Sequence, residues 1–593
     1  MKKIIYIAAA AAMTLSLASC EKFLDTTNYW SKTTEDVPAT AADAEALVTG
    51  IYNNLNVSIG NNVHVNHFLW SEAASDDCLG GGGTNDQTMQ AEDLMLNFGS
   101  DMYNNFYVDR YKGIARANMA IATIGNVEDL SETRKNQLIG EAYFLRAWFY
   151  YELGSMFGNI PMPVTTAADA TSPQVSGEAF WGQVLEDCKN AVDLMPSTVT
   201  DRGNGHVDKY CAEALLGRVY LFASGFLGVE SFTTPDGSTI DKSYVGKQIS
   251  DCVNNSGYSL VSDFHNLWAY TNRCSVEDEL SPYKGRGYKW AEDDGATNPE
   301  AMFVIKFNTQ PSWSTTIGYA NQTALFLGVR GQSDITSKGS TFPFGTGWGM
   351  CPVSPQLVKD WEAAEPNDAR REASIIQVDR WKTTSGYTYV YGGDSNIQET
   401  GYYQTKIMPV IAKKAGEDGY WASFSNAMYD LTWSSGNEDN FQLNSINDMV
   451  MIRFAEVLLM DAELNNNQNS FDLVRARAGL SSKAISTDAI RNERRWELAF
   501  EGVRYGDLRR YGEAYAVAAL DKQEGVKCWN AGVEGTNTAS KFNGGYGARY
   551  SATKGFAPIP TSQISLSAAA GEEYKYVQNE GWGSTGVEFP GWN

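Results

Sequence analysis

Acidic and basic side chains are concentrated in residues 448–512, where they alternate with apolar residues at helical spacing. Within this stretch Arg453 and Glu456 are three residues apart, and Glu463 follows Glu456 by two turns, which predicts one charged helix face. Carboxylates and guanidinium groups beside apolar side chains are candidates for acid–base chemistry, because such surroundings perturb their pKa values.

A second helix is predicted over residues 490–510. Trp496, Phe500 and Val503 recur at i, i+4 and i+7, the spacing of the buried side of an amphipathic helix. Glutamates step by four beside this apolar stripe, at Glu493, Glu497 and Glu501, and Arg504 follows one turn later. Buried charges need partners, and two facing helices that carry both signs can supply them. We therefore interpret these charges as a structural ion-pair network and predict no catalytic residue among them.

Other catalytic and metal-binding signals are weak. The four histidines, His64, His67, His206 and His265, occur without an HExxH motif, and no Gly-x-Ser-x-Gly elbow is present. The cysteines form no CxxC pair, so neither a zinc site nor a redox site is indicated. We predict a protein without a metal, a cofactor or a catalytic centre. A glycosidase would need two opposed carboxylates. With 71 Asp and Glu residues the composition does not exclude such a pair, but no local motif indicates one.

Composition narrows the choice of partner. The 593 residues carry a net charge of −24 and have a pI near 4.7, which argues against nucleic acid and anionic membrane surfaces as partners. Aromatic residues make up 12% of the chain and include 16 tryptophans. Aromatic rings can stack on the apolar faces of sugars, while Asp, Asn and Arg pair with hydroxyl groups. The composition therefore disfavours a polyanionic ligand and supplies many flat, amphipathic surfaces.

Residues 1–19 have the pattern of a lipoprotein signal peptide. Lys2 and Lys3 precede an apolar run that leads into Leu-Ala-Ser-Cys at residues 17–20. The run is short for a membrane span, and the final cysteine predicts cleavage before Cys20 and lipid attachment to it. Residues 20–40 are then the lipidated cysteine and a polar tether, so we expect the chain to be anchored to a membrane through lipid.

Helical patterns dominate residues 41–262. Ser131 is a predicted N-cap, and the helix that follows it is apolar over most of its circumference, so it should be packed on both sides. Helices at this spacing predict stacked hairpins and a mainly α fold. The predicted helices cover residues 41–55, 103–126, 131–157, 176–195, 208–225 and 244–254.

The regular spacing of predicted helices ends in residues 263–446. These residues are rich in Gly, Asn, Ser and Asp and contain eight of the 16 tryptophans, so we predict an irregular, loop-rich subdomain resting on the helices. Residues 447–593 are expected to return to helices and to complete the fold with a terminal segment. The four glycines at 80–83 lack a following Gly-Lys-Ser/Thr, so we interpret them as a flexible loop and not as a phosphate-binding loop.

Five segments carry a resemblance to a known family. In their order and spacing the chain resembles the SusD/RagB family, the surface glycan-binding lipoproteins of Bacteroidetes nutrient-uptake systems. The resemblance spans essentially the whole chain after the signal peptide. The segments are GEAYFLRAWFYYELGSMFGNIP (140–161), IRFAEVLLMDAE (452–463), VRARAGL (474–480), IRNERRWELAFEGVRYGDLRRYG (490–512) and PIP (558–560).

The resemblance implies a mainly α, SusD-like fold of tetratricopeptide-like helical hairpins beside the irregular subdomain. It implies capture of an oligosaccharide or polysaccharide at the outer-membrane surface and delivery to a SusC-like TonB-dependent transporter, on which the protein would act as a hinged lid. Some relatives serve peptide uptake, so peptide capture is the alternative hypothesis. A surface glycosidase is the third.

The family's ligand site is made from loops and has no transferable motif. Site residues are therefore predicted from residue type and region, because loops on a rigid helical body commonly carry binding residues. The segment that leads to Trp290 contains two tyrosines and two glycines, and we interpret it as a flexible aromatic loop. The glycan-binding candidates are Trp70, Asp77, Tyr107, Tyr283, Trp290, Trp313 and Trp348.

Overall fold

A computed structural model describes most of the chain after the predicted tether. The expected signal peptide, Cys20, His64 and Trp313 lie outside the described residues. The described ranges are 38–60, 65–99, 101–167, 171–198, 202–310, 320–331, 341–381, 389–413, 421–429, 431, 440–583 and 588–592.

Helices dominate the regular structure of these residues, which confirms the prediction of a mainly α fold. The strands are short and pair two by two in antiparallel ribbons. The helices are α1 (Ala41–Gly60), α2 (His67–Ala73), α3 (Gln87–Asp93), α4 (Asn104–Thr123), α5 (Glu132–Phe157), α6 (Gly177–Leu194), α7 (Lys209–Leu227), α8 (Lys242–Asn255), α9 (Arg273–Glu277), α10 (Gln322–Leu327), α11 (Pro355–Ala364), α12 (Ala369–Ser374), α13 (Phe424–Tyr429), α14 (Phe454–Asn465), α15 (Gln468–Arg477), α16 (Thr487–Leu498), α17 (Arg504–Arg510), α18 (Glu513–Leu520), α19 (Tyr546–Thr553) and α20 (Thr561–Ala570). The strands are β1 (Ile160–Pro161), β2 (Gln174–Val175), β3 (Ser231–Thr233), β4 (Thr239–Asp241), β5 (Ala301–Ile305), β6 (Ile375–Gln377), β7 (Tyr402–Gln404), β8 (Ile411–Lys413), β9 (Trp421–Ser423), β10 (Met449–Arg453), β11 (Lys527–Asn530) and β12 (Val533–Thr536).

The first half of the chain is a stack of packed helices. Helix α1 packs on α4, and the series α4, α5, α6, α7 and α8 continues with each helix packed on the next. The Ser131 hydroxyl accepts from the Arg134 amide at 3.3 Å, as expected of an N-cap. Helix α5 is buried on both sides, and its internal charges are paired; the Arg146 guanidinium, for example, lies 2.6 Å from the Asp187 carboxylate. These contacts make α5 the centre of the helical scaffold.

Two local predictions for residues 448–512 were wrong. Residues Met449–Arg453 form β10, which pairs with β5, and the helix begins only at Phe454, so Arg453 does not share a helix face with Glu456. The predicted second helix is broken as well, because Phe500 has a left-handed φ of +66° between α16 and α17. The first departure comes from strand pairing, and at the second the Gly502 amide donates to the Glu72 carboxylate at 2.6 Å; tertiary contacts outweigh helical spacing in both short segments.

The run of glycines at residues 80–83 is buried and ordered, so its interpretation as a flexible loop was wrong. The amide of Gly82 donates to the carbonyl of Gly349 at 2.9 Å, and the Gly81 amide donates to the Gln398 side chain at 3.1 Å. A Cβ atom at Gly80 would collide with the backbone of Gln90. Glycine is needed here because two other segments approach the backbone closely.

The irregular segment contributes a second hydrophobic cluster beside the main core. Phe264, Tyr270, Phe344 and Tyr403 are buried in it. None of the helices in the described ranges is long and apolar enough to cross a membrane.

The cysteines that the structure describes form no disulfide bonds, and all except the half-buried Cys274 are buried.

Candidate functional site

The buried charges of the C-terminal helices form an ion-pair network. The Arg453 guanidinium donates to the carboxylates of Glu501 (2.7 Å), Glu300 (2.8 Å) and Glu497 (2.5 Å). Glu497 accepts further bonds from Arg370 and Arg477. Burial alone would raise the pKa of Glu497, but the three arginines lower it strongly. Since these carboxylates are paired and shielded from solvent, the geometry supports the structural interpretation of this network.

Trp70 and Tyr107 are packing residues in the main core. The Trp70 ring is 4% exposed and meets Tyr505 edge to face at 5.0 Å between centroids. Tyr107 is 2% exposed and lies 5.2 Å from the ring of Phe157. Rings enclosed in this way offer no face to a ligand, so their burial contradicts the prediction of glycan contacts at both residues.

Asp77 and Tyr283 are also buried, and the prediction of glycan contacts is contradicted for them too. The Asp77 carboxylate accepts from Arg495 at 2.8 Å, beside Asp76, whose pKa the neighbouring arginines lower to about 2 against the effect of burial. Tyr283 stacks on Tyr270 at 4.9 Å within the second hydrophobic cluster. Its segment is part of that core, and the aromatic-loop interpretation overlooked this packing.

Two predicted residues keep access to open space. Trp290 is 6% exposed, but it lines a cleft. Trp348 is half-buried against Phe326, with 5.1 Å between ring centroids. The two tryptophans are not brought together, because Trp348 is absent from the lining of the Trp290 cleft. Both stay predictions as ligand contacts.

A stacked pair of aromatic rings lies at the surface where the irregular segment meets the β11–β12 hairpin. The rings of Tyr391 and Trp529 are 3.8 Å apart between centroids, with an interplanar angle of 17°, and both are half-buried. Two valines beside them are unusually exposed, Val390 at 63% and Val533 at 72%. We call Tyr391 and Trp529 the aromatic platform, since the two stacked rings are both partly exposed to solvent.

Glu399 fixes the two halves of the aromatic platform. Its backbone exchanges two hydrogen bonds with Trp529, at 2.8 and 2.9 Å. Its buried carboxylate accepts from the Tyr389 hydroxyl and from the Gly392 amide at 2.7 Å, on either side of Tyr391. Burial raises the pKa of Glu399, while these donors act against that rise. One glutamate thus positions the ring of Tyr391 against the ring of Trp529.

The backbone around the aromatic platform is strained. Asp394, Ser395, Gln398 and Ala531 all have left-handed φ values between +48° and +54°, although none is a glycine. A Cβ atom at Gly392 would collide with the backbone of Gly532. Such conformations cost about 1–3 kcal/mol each and tend to cluster where a loop has a function.

Polar groups border the aromatic platform on two sides. The Lys527 ammonium lies 4.6 Å from the Trp529 ring centroid and 3.0 Å from the Glu534 carboxylate. On the other border Arg330 donates to the Asp394 carbonyl at 3.0 Å and to the Trp348 carbonyl at 3.2 Å. Arg330 therefore connects the predicted residue Trp348 with the platform loop, which is residues 389–399. The arrangement offers aromatic area together with hydrogen-bonding groups of both charges.

The sequence analysis missed Tyr391 and Trp529. They lie in separate segments, and their stacking depends on a bridge between Glu399 and the β11–β12 hairpin. The one available signal was Lys-Cys-Trp-Asn before Gly532, a short aromatic strand next to a turn residue. That signal predicts a hairpin but does not predict which segment packs beside it.

No cluster of three or more potential metal ligands from His, Cys, Asp and Glu occurs among the described residues. The side chains at the aromatic platform are two aromatic rings with charged groups at their border. They can stack on a flat apolar face and exchange hydrogen bonds with hydroxyl groups at its edge.

Two family models match the chain. The first is described as "Starch-binding associating with outer membrane" and matches residues 22–221. The second is described as "SusD family" and matches residues 229–582, which is more than half of the chain. Between them the models cover nearly all of the chain that follows Cys20.

Known relatives and solved structures agree with these models. "SusD-like protein P2" of Formosa agariphila is 26% identical over 503 residues, covering 79% of this chain and 84% of that protein. A structure titled "Laminarin binding SusD-like protein" has a TM-score of 0.66 at 24% identity and covers 91% of this chain and 99% of its own. Surface glycan-binding protein A from Bacteroides thetaiotaomicron, in complex with laminarihexaose, has a TM-score of 0.64 at 19% identity, with coverage of 91% and 99%. Together the fold and the two family models identify this chain as a member of the SusD family.

Proposed function

We propose that this protein captures a neutral glycan at the cell surface by stacking sugar rings on the aromatic platform, and that it does not cleave the glycan. The observation that carries the proposal is the half-exposed pair of Tyr391 and Trp529, held in place by buried Glu399. A stacked pair presents a rigid apolar area, so little conformational freedom is lost when a ligand binds.

The chemistry around the aromatic platform fits a polyhydroxylated ligand. Pyranose rings have apolar C–H faces that pack on aromatic rings, and their hydroxyl groups need partners at the edge. Lys527, Glu534 and Asp394 supply such partners on exposed side chains, which are 55%, 62% and 70% exposed. The net charge of −24 disfavours a polyanionic glycan, which supports a neutral one.

The relatives suggest where the search for the ligand should start. One similar structure is named for laminarin binding, and another was solved with laminarihexaose. Their identity to this chain is at most 24%, so the glycan itself has to be found by experiment. Laminarin is the first polysaccharide to test, within a panel of plant, host and microbial polysaccharides.

We further propose that the protein is attached to the outer membrane through lipid on Cys20 and passes its ligand to a SusC-like TonB-dependent transporter. Support comes from the lipobox pattern at residues 17–20 and from the family model described as associating with the outer membrane. Removing the cognate transporter should abolish uptake of the glycan and leave surface binding intact. Uptake that persists without the transporter would contradict this part of the proposal.

Affinity electrophoresis of the chain from Glu21 onwards tests the binding function. The protein is run in native gels containing each polysaccharide, beside Trp529→Ala and Tyr391→Ala. Tyr574→Ala is the matched control, because Tyr574 is a 39% exposed aromatic residue in the C-terminal segment. We expect at least one polysaccharide to retard the parent protein and the control, and retardation to be lost in both platform variants.

Three results would contradict the proposal. They are absence of retardation by every polysaccharide, retardation that survives both platform substitutions, and release of shorter products from the retarding polysaccharide. Peptide binding in place of glycan binding would favour the alternative hypothesis, which a parallel titration with a mixed peptide pool detects.

A further inference from the structure

A cleft of about 320 Å³ opens between the helical scaffold and the irregular segment. Its walls come from the loop before α7, from residues 290–306, from α13 and from residues 446–448. Its volume is at the lower end of the range of small-molecule sites in proteins. None of its lining residues belongs to the aromatic platform, so the cleft is a separate feature of the molecule.

One side of the cleft is aromatic. The Trp290 ring packs edge to face on Phe424 at 5.3 Å, which fixes its orientation. Tyr429 is 36% exposed at the cleft, and its hydroxyl donates to the carbonyl of Glu292 at 3.3 Å. Tyr258 carries the Arg202 guanidinium 3.7 Å from its ring centroid. The walls therefore provide pre-oriented rings, as a small ligand with an apolar face requires.

The charged groups that line the cleft are of both signs. Arg202 and Lys306 are positive, while Glu292 and Asp448 are negative, and the Lys306 ammonium lies 2.5 Å from the Asp448 carboxylate. A fifth titratable group, His206, is paired with a buried glutamate of α5 at 2.6 Å. A ligand in the cleft therefore meets donors and acceptors of both signs, which suits a molecule rich in hydroxyl groups.

Glu292 can act as either a donor or an acceptor near neutral pH. Burial, with a contribution from the charge of Asp448, raises the pKa of Glu292 to about 7. Its carboxyl group is 3.4 Å from the Asn298 amide nitrogen, a long contact that leaves capacity for a further bond. A sugar hydroxyl can both donate and accept, so it matches a carboxyl group in either protonation state.

We propose that this cleft is a second carbohydrate site, which binds a neutral mono- or disaccharide unit such as the end of a glycan chain. The proposal takes its ligand class from the proposed function. The cleft has walls on several sides and a small volume, so it suits a terminal unit, whereas the open aromatic platform suits the interior of a chain. Two such sites on one chain would hold a polysaccharide with greater avidity than either alone.

The test uses isothermal titration calorimetry. The chain from Glu21 onwards is titrated with a panel of neutral disaccharides of glucose, galactose, mannose and xylose. Ala296→Trp places a large ring at the exposed rim of the cleft, and Ala570→Trp adds the same ring at an exposed helix end as the matched control. Glu292→Gln keeps the shape of the carboxyl group and removes its charge.

We expect at least one disaccharide to bind the parent protein and Ala570→Trp equally, and to bind Ala296→Trp at least tenfold more weakly. Glu292→Gln should weaken binding several-fold above pH 7, where Glu292 is ionised. The proposal is overturned if no disaccharide binds the parent protein, or if Ala296→Trp binds as the parent does.

Polysaccharide retardation separates this proposal from the proposed function. Retardation that depends on Trp529, in the absence of any disaccharide binding, would refute the cleft and preserve the aromatic platform. Disaccharide binding that Ala296→Trp abolishes, without retardation by any polysaccharide, would refute glycan binding at the platform and preserve the cleft proposal. Ala296→Trp should still be retarded by the polysaccharide, which also shows that this variant is folded.

Discussion

Replacing Arg453 with Met removes the centre of the buried ion-pair network and should destabilise the fold. The guanidinium makes five hydrogen bonds, to the carboxylates of Glu300, Glu497 and Glu501 and to the Glu497 carbonyl. Methionine keeps much of the apolar stem of arginine, so the change isolates the charge and its hydrogen bonds.

The size of the loss in the free energy of unfolding follows from the ion-pair partners that these three carboxylates keep. Glu497 keeps two arginines, Glu300 keeps Arg477, and Glu501 keeps Lys406 at 2.7 Å. No carboxylate is left unpaired, but buried negative charge is no longer balanced. Breaking a buried pair costs about 3–5 kcal/mol, and the surviving partners place Arg453→Met near the lower end, at about 3 kcal/mol.

Urea unfolding followed by tryptophan fluorescence measures this loss, with the free energy of unfolding taken by linear extrapolation. Arg286→Met is the control, because Arg286 pairs with Glu372 at the surface and both side chains are largely exposed. The control should change the free energy by less than about 1 kcal/mol. A loss below about 1 kcal/mol for Arg453→Met as well would refute the idea that this network stabilises the fold.

Two further predictions concern the aromatic platform and the pH dependence of folding. Gly392→Ala should weaken polysaccharide retardation as Trp529→Ala does, because the added methyl group collides with Gly532 and separates the platform loop from the hairpin. Burial lowers the pKa of His67 to about 3, so the unfolded chain binds a proton that the folded chain rejects between pH 6.5 and 3. Stability should therefore fall as the pH falls through this window, by up to about 1.4 kcal/mol per pH unit, and His67→Gln should show a shallower slope in urea unfolding.

Each of these predictions has its own control. Gly285→Ala introduces the same left-handed strain at a φ of +73°, with nothing within 4 Å of the new methyl group, so retardation should be unaffected. Equal retardation of Gly392→Ala and the parent protein would argue against the close approach of the two loops. For His67, slopes that match in the parent and the variant would show that the imidazole is protonated in the folded chain.

Sequence patterns predicted the helical scaffold because its helices are long and their apolar faces are periodic. The helix after Ser131 begins and ends where the cap and the Gly-Asn-Ile-Pro stop indicate. Charges that alternate with apolar residues also indicated the ion-pair network, since buried charges need partners wherever they lie. Only some of the partners were predicted, because Glu300 and Arg370 lie in the irregular segment, outside the two predicted helices.

The short elements and the binding surfaces were decided by tertiary structure. Residues Met449–Arg453 are a strand because β5 offers a pairing partner far away in the chain. Trp70 and Tyr107 have the residue type of a sugar-binding surface, but helices packed around them bury their rings.

The sequence by itself therefore determined the family, the mainly α fold and the supply of aromatic rings. Whether a given ring is buried or open depends on contacts between segments distant in the chain, which composition and periodicity do not encode. Tyr391 and Trp529 form one surface only because the buried Glu399 binds the loop of one and pairs with the strand of the other. Such non-local contacts, and not residue type, separate a partly exposed ring from a core ring.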